Sequence, residues 1–397
     1  MNTTSTAAAL GEAREEASER AAIPWPVWSS VLAVTSAMIG VHWDISWHRS
    51  IGRDSFLTAP HLAIYLSGVI GGVIAASLIL GTTFGPKERR ASSVRVFGFR
   101  GPLGAFVLAW GGIAMLTSAP FDNWWHNTYG LDVRIISPPH ALLSLGILSV
   151  ELGALLLVLS YMNRSNGPSR KVLGALFLYI GAMMLVAVLV FLLERTDRTE
   201  MHTAHYYRDL CLALPWVLVG VSCASDARWA ATTMAAILSL FQIALLWILP
   251  LFPAVPKLGP VYHPVTHFVP PPFPLLIIVP AIAIDLHRIR AASRSRDGAV
   301  APWKEALVLG ALFFATYLAA QWIFADFLLS PESRNWVFGT HYFGYNARST
   351  WNIMRHVFAP RERAIPFAVN LGLALILAVL TSRLGLSWGA WMRRIHR

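Results

Sequence analysis

Residues 138–162 read PPHALLSLGILSVELGALLLVLSYM. As a helix at 1.5 Å per residue the stretch is about 37 Å long, more than the roughly 30 Å hydrocarbon core of a bilayer. Its two leading prolines suit a first helical turn, where the missing N–H costs nothing. It carries one histidine, His140, at its start and one carboxylate, Glu151, inside. Similar apolar stretches recur on both sides, and the sequence predicts ten spans: Ile23–Val41, Leu57–Phe84, Leu103–Ala119, Pro138–Met162, Val172–Leu193, Leu210–Ser225, Trp229–Leu251, Pro272–Leu286, Glu305–Ala325 and Ile365–Leu386. Across all 397 residues, 55% are hydrophobic and only 13% charged, about half the charge of a soluble domain. The expected fold class is all-α, a polytopic integral membrane protein. A cytosolic enzyme, a disulfide scaffold and a disordered chain are excluded. The two cysteines, Cys211 and Cys223, are too few for a thiolate metal cluster.

Three regions follow. A polar tail covers residues 1–22, without the basic start of a signal peptide. A four-helix region covers 23–162, and a six-helix region covers 163–397. The net charge of +11 is a topology signal and not a nucleic-acid patch. Most Lys and Arg fall in the tails and the loops on the tail side, including Lys87-Glu88-Arg89-Arg90, Arg170-Lys171 and the run from Arg288 to Lys304. Positive charge stays inside, so both termini are expected in the cytoplasm, with the bilayer in question an inner (plasma) membrane. Of 13 histidines only His287 and His396 belong to that side; the rest gather at the opposite, extracytoplasmic ends.

The stretch just before residue 138 repeats an earlier one. Asp44-Ile-Ser-Trp47-His48, Gly52, Asp54 and Pro60-His61 align with Asp122-Asn-Trp124-Trp125-His126, Gly130, Asp132 and Pro139-His140, with one residue inserted. Asp and His four apart share one face of a helix end, and the second His of each set emerges from the first turn of the next span. Each helix–loop–helix unit therefore aims one carboxylate and two imidazoles at a common point. That donor set suits copper, iron or zinc with coordination positions left open. An Asp–His ion pair without metal uses the same residues, and their occurrence twice favours the metal. Asp54 and Asp132 are candidates either to orient an imidazole from behind or to cap their loops. Trp47, Trp124 and Trp125 are expected to wall the metal pockets.

These residues resemble a known family, the copper membrane monooxygenases, which comprise the particulate methane and ammonia monooxygenases. Asp44-Ile-Ser-Trp-His48-(x4)-Arg53-Asp54-(x3)-Thr58-(x2)-His61 is similar to a copper-site motif in the family's membrane copper-binding subunit. Asp122, Trp124, His126, Pro138 and His140 are similar to the other copper motif of the same polypeptide, in which the first ligand is Asn rather than Asp. The resemblance covers about residues 36–162. It implies two copper ions, an oxygen-dependent hydroxylation of a small apolar or weakly polar substrate such as a short hydrocarbon or ammonia, an electron donor, and catalysis at Asp122, His126 and His140. The family's large soluble cupredoxin subunit has no counterpart loop here, so a separate cupredoxin-like partner and a homo-oligomer are the further expectations. Residues Phe268–Leu286 and the loop around Gly339–His356 are similar, on weaker motifs, to the family's other helical membrane subunit. The competing reading is a non-enzymatic copper-binding protein for uptake, storage or delivery; only one Met pair, Met183-Met184, lies in the spans to serve a transport route.

Elsewhere, His202-Thr-Ala-His205 with Glu200 forms a candidate third metal site, and the loop also holds Glu194, Asp197 and Asp209. His263 and His267 are another i, i+4 pair; Glu332, His341, Tyr345 and His356 occupy the last loop. Prolines at 264, 270, 271, 272 and 274 exclude a regular helix just before the eighth span. Glu151 lies about 16 Å along the helix from His140. An intramembrane carboxylate is a functional candidate by default, here a proton route to the second site or a neutral packing group. Gly71-Gly72 is expected at a close helix contact.

Overall fold

A computed structural model describes residues 23–52, 56–91, 93–130, 137–193, 195–196, 200–257, 265–294, 301–339 and 362–396. The tail, Asp54, Asp132, Glu194, Asp197, His263, His341, Tyr345 and His356 lie outside the described residues. The described chain is mostly helical, with one short hairpin and an irregular Pro-rich segment that makes an isolated bridge between Pro253 and His267. In order come α1 (Trp25–Ser50), α2 (Ala59–Thr83), β1 (Val94–Val96), β2 (Phe99–Gly101), α3 (Leu103–Tyr129), α4 (Pro138–Met162), α5 (Gly167–Phe191), α6 (Ala204–Cys211), α7 (Leu214–Ala224), α8 (Ala230–Ile248), α9 (Ile278–Arg294), α10 (Pro302–Leu329) and α11 (Ala364–Met392).

Eight segments are long and apolar enough to cross a membrane: α2, α3, α4, α5, α6 with α7, α8, α10 and α11. The other two expected spans do not reach that standard. α1 is long enough, but its apolar core is flanked by serines and then by His42, Asp44 and His48. In the eighth, the prolines at 270–272 and 274 delay the helix to Ile278, and the 17 residues that follow include Asp285, His287 and Arg288. The β1–β2 hairpin, antiparallel with Val96 opposite Phe99, was not legible in the hydropathy pattern.

The first four long helices run up, down, up and down, and glycines set their closeness. A Cβ added at Gly40 of α1 would stand 2.7 Å from Ile64 Cγ1 of α2. One at Gly104 of α3 would stand 2.5 Å from Gly153 O of α4, and one at Gly153 would stand 2.6 Å from Leu108 N. Such contacts come from packing backbones together where lipid supplies no hydrophobic drive between helices. At the expected Gly71-Gly72 contact the two residues differ. Gly71 faces Val150 at an ordinary 3.6 Å, whereas Gly72 admits Gly112, whose Cβ would stand 3.2 Å from Gly72 N. The antiparallel order puts the α1–α2 and α3–α4 connections at the same end of the bundle, so the two repeat units lie side by side in register.

At that end α1 is also tied to the Pro-rich segment before α9. Ser46 Oγ donates to Val269 O (2.6 Å), Val269 N donates to Ser50 Oγ (2.7 Å), and Lys257 N donates to Ile51 O (2.9 Å). Toward the other end, Asn163 Nδ2 donates to Met392 O and Ile395 O, pinning the end of α11 to α4.

Candidate metal centre

The second repeat unit is built on two helix ends. α3 runs through Pro120 to Tyr129, so Asp122 and His126 stand one above the other on its last turns. It stops at Gly130, whose backbone (φ 87°, ψ −165°) lies in a region that only glycine adopts freely. That conformation turns the Gly130 carbonyl back onto the helix, where it accepts from His126 Nδ1 (3.2 Å). With hydrogen on Nδ1, the Nε2 lone pair is left facing inward, the tautomer a metal ligand needs. From the opposite helix, Ser137 caps α4, its Oγ accepting from His140 N (3.4 Å), with Pro138 and Pro139 in the first turn. This holds His140 at a set height.

The three side chains converge. Asp122 Oδ1 lies 3.4 Å from His126 Nε2 and 3.4 Å from His140 Nε2. It is buried and has no hydrogen-bond partner among the described residues, and neither has His140 Nδ1. An N–H···O hydrogen bond would close to about 2.7–3.2 Å. Ligand atoms held about 2.1 Å from one ion at square or tetrahedral angles lie about 3.0–3.4 Å apart. The separation therefore fits a shared cation, and the enclosed Asp122 Oδ1, left with no donor, would be costly without one.

The first unit repeats the arrangement. Asp44 Oδ1 lies 3.3 Å from His61 Nε2, and Asp44 Oδ2 lies 3.8 Å from His48 Nε2. His61 is well covered, at 16% side-chain exposure, while His48 is open at 49%. Both trios bring one atom of each residue within 4.8 Å of the others, and they are the two such groups of His, Cys, Asp and Glu among the described residues. Gly52 shares the positive φ of Gly130, at 96°, so the repeat extends to the backbone.

The surrounding residues differ from expectation in part. Trp47 turns away from its trio and packs on Phe268 (ring centroids 5.8 Å) within a small cluster of Ile51, Leu245, Leu249 and Ala254. Position 47 lies about 60° around the helix from Asp44, on the side that meets the segment before α9. Trp125 joins Phe121, Trp124 and Tyr129 in an aromatic group beside the second trio, with the Trp125 and Tyr129 centroids 4.6 Å apart. Glu151 is completely enclosed within α4, and neither carboxylate oxygen has a hydrogen-bond partner among the described residues.

The expected third trio does not assemble. His205 is clamped between two carboxylates, its Nε2 3.1 Å from Glu200 and its Nδ1 2.9 Å from Glu362, so both ring nitrogens are used. His202 faces elsewhere, 3.4 Å from Asp326 Oδ1 and edge-on to Trp322. The start of α6 separates them: Glu362 also accepts from Ala204 N at the first turn, which draws His205 to that side. Glu362 and Asp326 come from α11's approach and from α10, far away in sequence, and no local spacing announces either. His42 and Gln242, which line a cavity behind α1, were likewise not singled out by any motif.

No family model, curated protein or solved structure matches the chain.

Proposed function

We propose that the chain is a copper-dependent membrane monooxygenase, or a subunit of one, that hydroxylates a small apolar or weakly polar substrate such as a short hydrocarbon or ammonia. The observation that carries this reading is the buried Asp122 oxygen equidistant from two imidazole nitrogens, repeated in a second Asp/His/His trio at the same end of the bundle. The resemblance of residues 36–162 to the membrane copper-binding subunit of the copper membrane monooxygenases supplies the reaction. Asp122, His126 and His140 would hold the copper of the reacting centre, and Asp44, His48 and His61 a second copper. The metal supplies activation of O2 when bound, in a reaction that consumes two electrons and two protons and yields the hydroxylated product and water.

The chain's own part is to position and enclose. Gly130 O fixes the tautomer and plane of His126. Ser137 and the two prolines set the height of His140. The aromatic group of Phe121, Trp124, Trp125 and Tyr129 offers an apolar flank for a substrate that dissolves in lipid. Glu151, enclosed on the helix that carries His140, is placed to hold a proton. In this reading the trios lie at the extracytoplasmic face of an inner membrane, and a cupredoxin-like partner delivers electrons.

Oxygen-dependent product formation by copper-loaded membranes, compared for wild type, His126→Ala and His48→Ala, tests the assignment. Loss in His126→Ala is expected, and equal activity in all three would remove the oxygenase. The exposure of His48 favours a second reading of the first trio, as an acquisition site in a protein for copper uptake, storage or delivery. Copper bound at both trios without any oxygen consumption would establish that reading instead.

A further inference from the structure

The last turns of α1 present two faces. Asp44 and His48 occupy one; His42, Ser46 and Arg49 lie about 150° around the helix at 100° per residue. This second face lines a cavity closed by Leu193 just past α5, Gln242 of α8 and Phe273 of the Pro-rich segment. Its empty volume is about 610 Å³ with the mouth included. Apolar walls with a few placed polar groups are the make-up of small-molecule sites. None of its lining residues is a member of either trio.

The polar groups define what fits. Ser46 Oγ is committed to Val269 O (2.6 Å) and Thr196 Oγ1 to Leu192 O (2.8 Å), and Arg49 is engaged in an interaction of its own. His42 is 5% exposed and its Nδ1 lies 2.8 Å from Met38 O. A carbonyl only accepts, so the hydrogen is on Nδ1 and Nε2 carries a lone pair. Gln242 is 9% exposed, and its Oε1 is buried with no hydrogen-bond partner among the described residues. A carboxamide oxygen left so is costly unless something donates to it. The cavity thus offers two acceptors, one of them unmet, and no carboxylate to attract a cation.

We infer that this cavity binds a small apolar molecule bearing a hydroxyl, in the class of phenol or a short alcohol, with the hydroxyl hydrogen donated to Gln242 Oε1. The site is separate from the metal trios and does not depend on their chemistry.

The test uses metal-free, full-length protein in lipid nanodiscs. Binding of radiolabelled phenol, toluene and benzoate is measured by equilibrium dialysis and corrected with empty nanodiscs. Wild type is expected to prefer phenol over toluene about tenfold, the worth of one hydrogen bond to an otherwise unmet acceptor. Gln242→Met, which keeps the length and loses the carbonyl, should bind the two alike while retaining toluene. Leu193→Trp should fill the cavity and lose both. Equal binding of phenol and toluene by wild type, a preference that survives Gln242→Met, or tighter binding of benzoate than of phenol would each overturn the assignment.

Discussion

Gly130→Ala tests the link between backbone and metal most directly. A Cβ at Gly130 meets nothing within 4 Å, so the substitution causes no clash and its whole effect is conformational. At φ 87° and ψ −165° an L residue carries strain of about 1–3 kcal/mol. The chain can relieve it by rotating φ to negative values, but this withdraws the Gly130 carbonyl from His126 Nδ1, which it meets at 3.2 Å. The hydrogen bond is worth about 1 kcal/mol by itself. Releasing the imidazole plane and tautomer lowers metal affinity by about 10–100-fold in comparable supporting-residue losses. That range equals about 1.4–2.7 kcal/mol and lies within the strain of about 1–3 kcal/mol, so either path weakens the site by about fivefold or more. The assay is a chelator-competition titration of copper on detergent-solubilised protein, with His61→Ala included so that only the second trio is read. Gly72→Ala is the control, since its Cβ also meets nothing within 4 Å and its backbone is helical. If Gly130→Ala held copper within twofold of the control, the carbonyl would not orient His126 and the account of the site's preorganisation would fail.

Within the first trio the two histidines should be unequal. His61 lies closer to Asp44 and is better covered than His48, so His61→Ala should cost more copper affinity than His48→Ala by about tenfold in the same titration. The reverse order would show that the more exposed His48 is the stronger ligand. In the bundle, Gly104→Ala places a methyl 2.5 Å from Gly153 O and should destabilise by about 1–3 kcal/mol through overpacking. A thermal unfolding midpoint in detergent equal to that of wild type would mean that α3 and α4 are not packed as described.

Local spacing carried the trios, because Asp44 and His48, and Asp122 and His126, are four apart on a helix that any such sequence would form. Long apolar runs carried eight of the ten expected spans. The eighth span of that reading was shortened by its own prolines, a signal present in the sequence but outweighed there by hydropathy. Spacing could not tell which way a neighbouring ring turns. Trp47, expected at the metal, packs instead on Phe268, and that partner is fixed only when Ser46 and Ser50 bond the backbone of Val269.

What the sequence by itself determined is therefore the helical, membrane-length character of the chain and the identity of six convergent donors, since both follow from periodicities of a few residues. The tertiary structure alone decided which donors meet. His202 and His205 are three apart and equally eligible, yet Asp326 takes one while Glu200 and Glu362 take the other. It also decided that His42 and Gln242 share a cavity. The physical reason is that a helix sets the direction of a side chain along its own axis, whereas the identity of what it faces depends on which distant helices pack against that side.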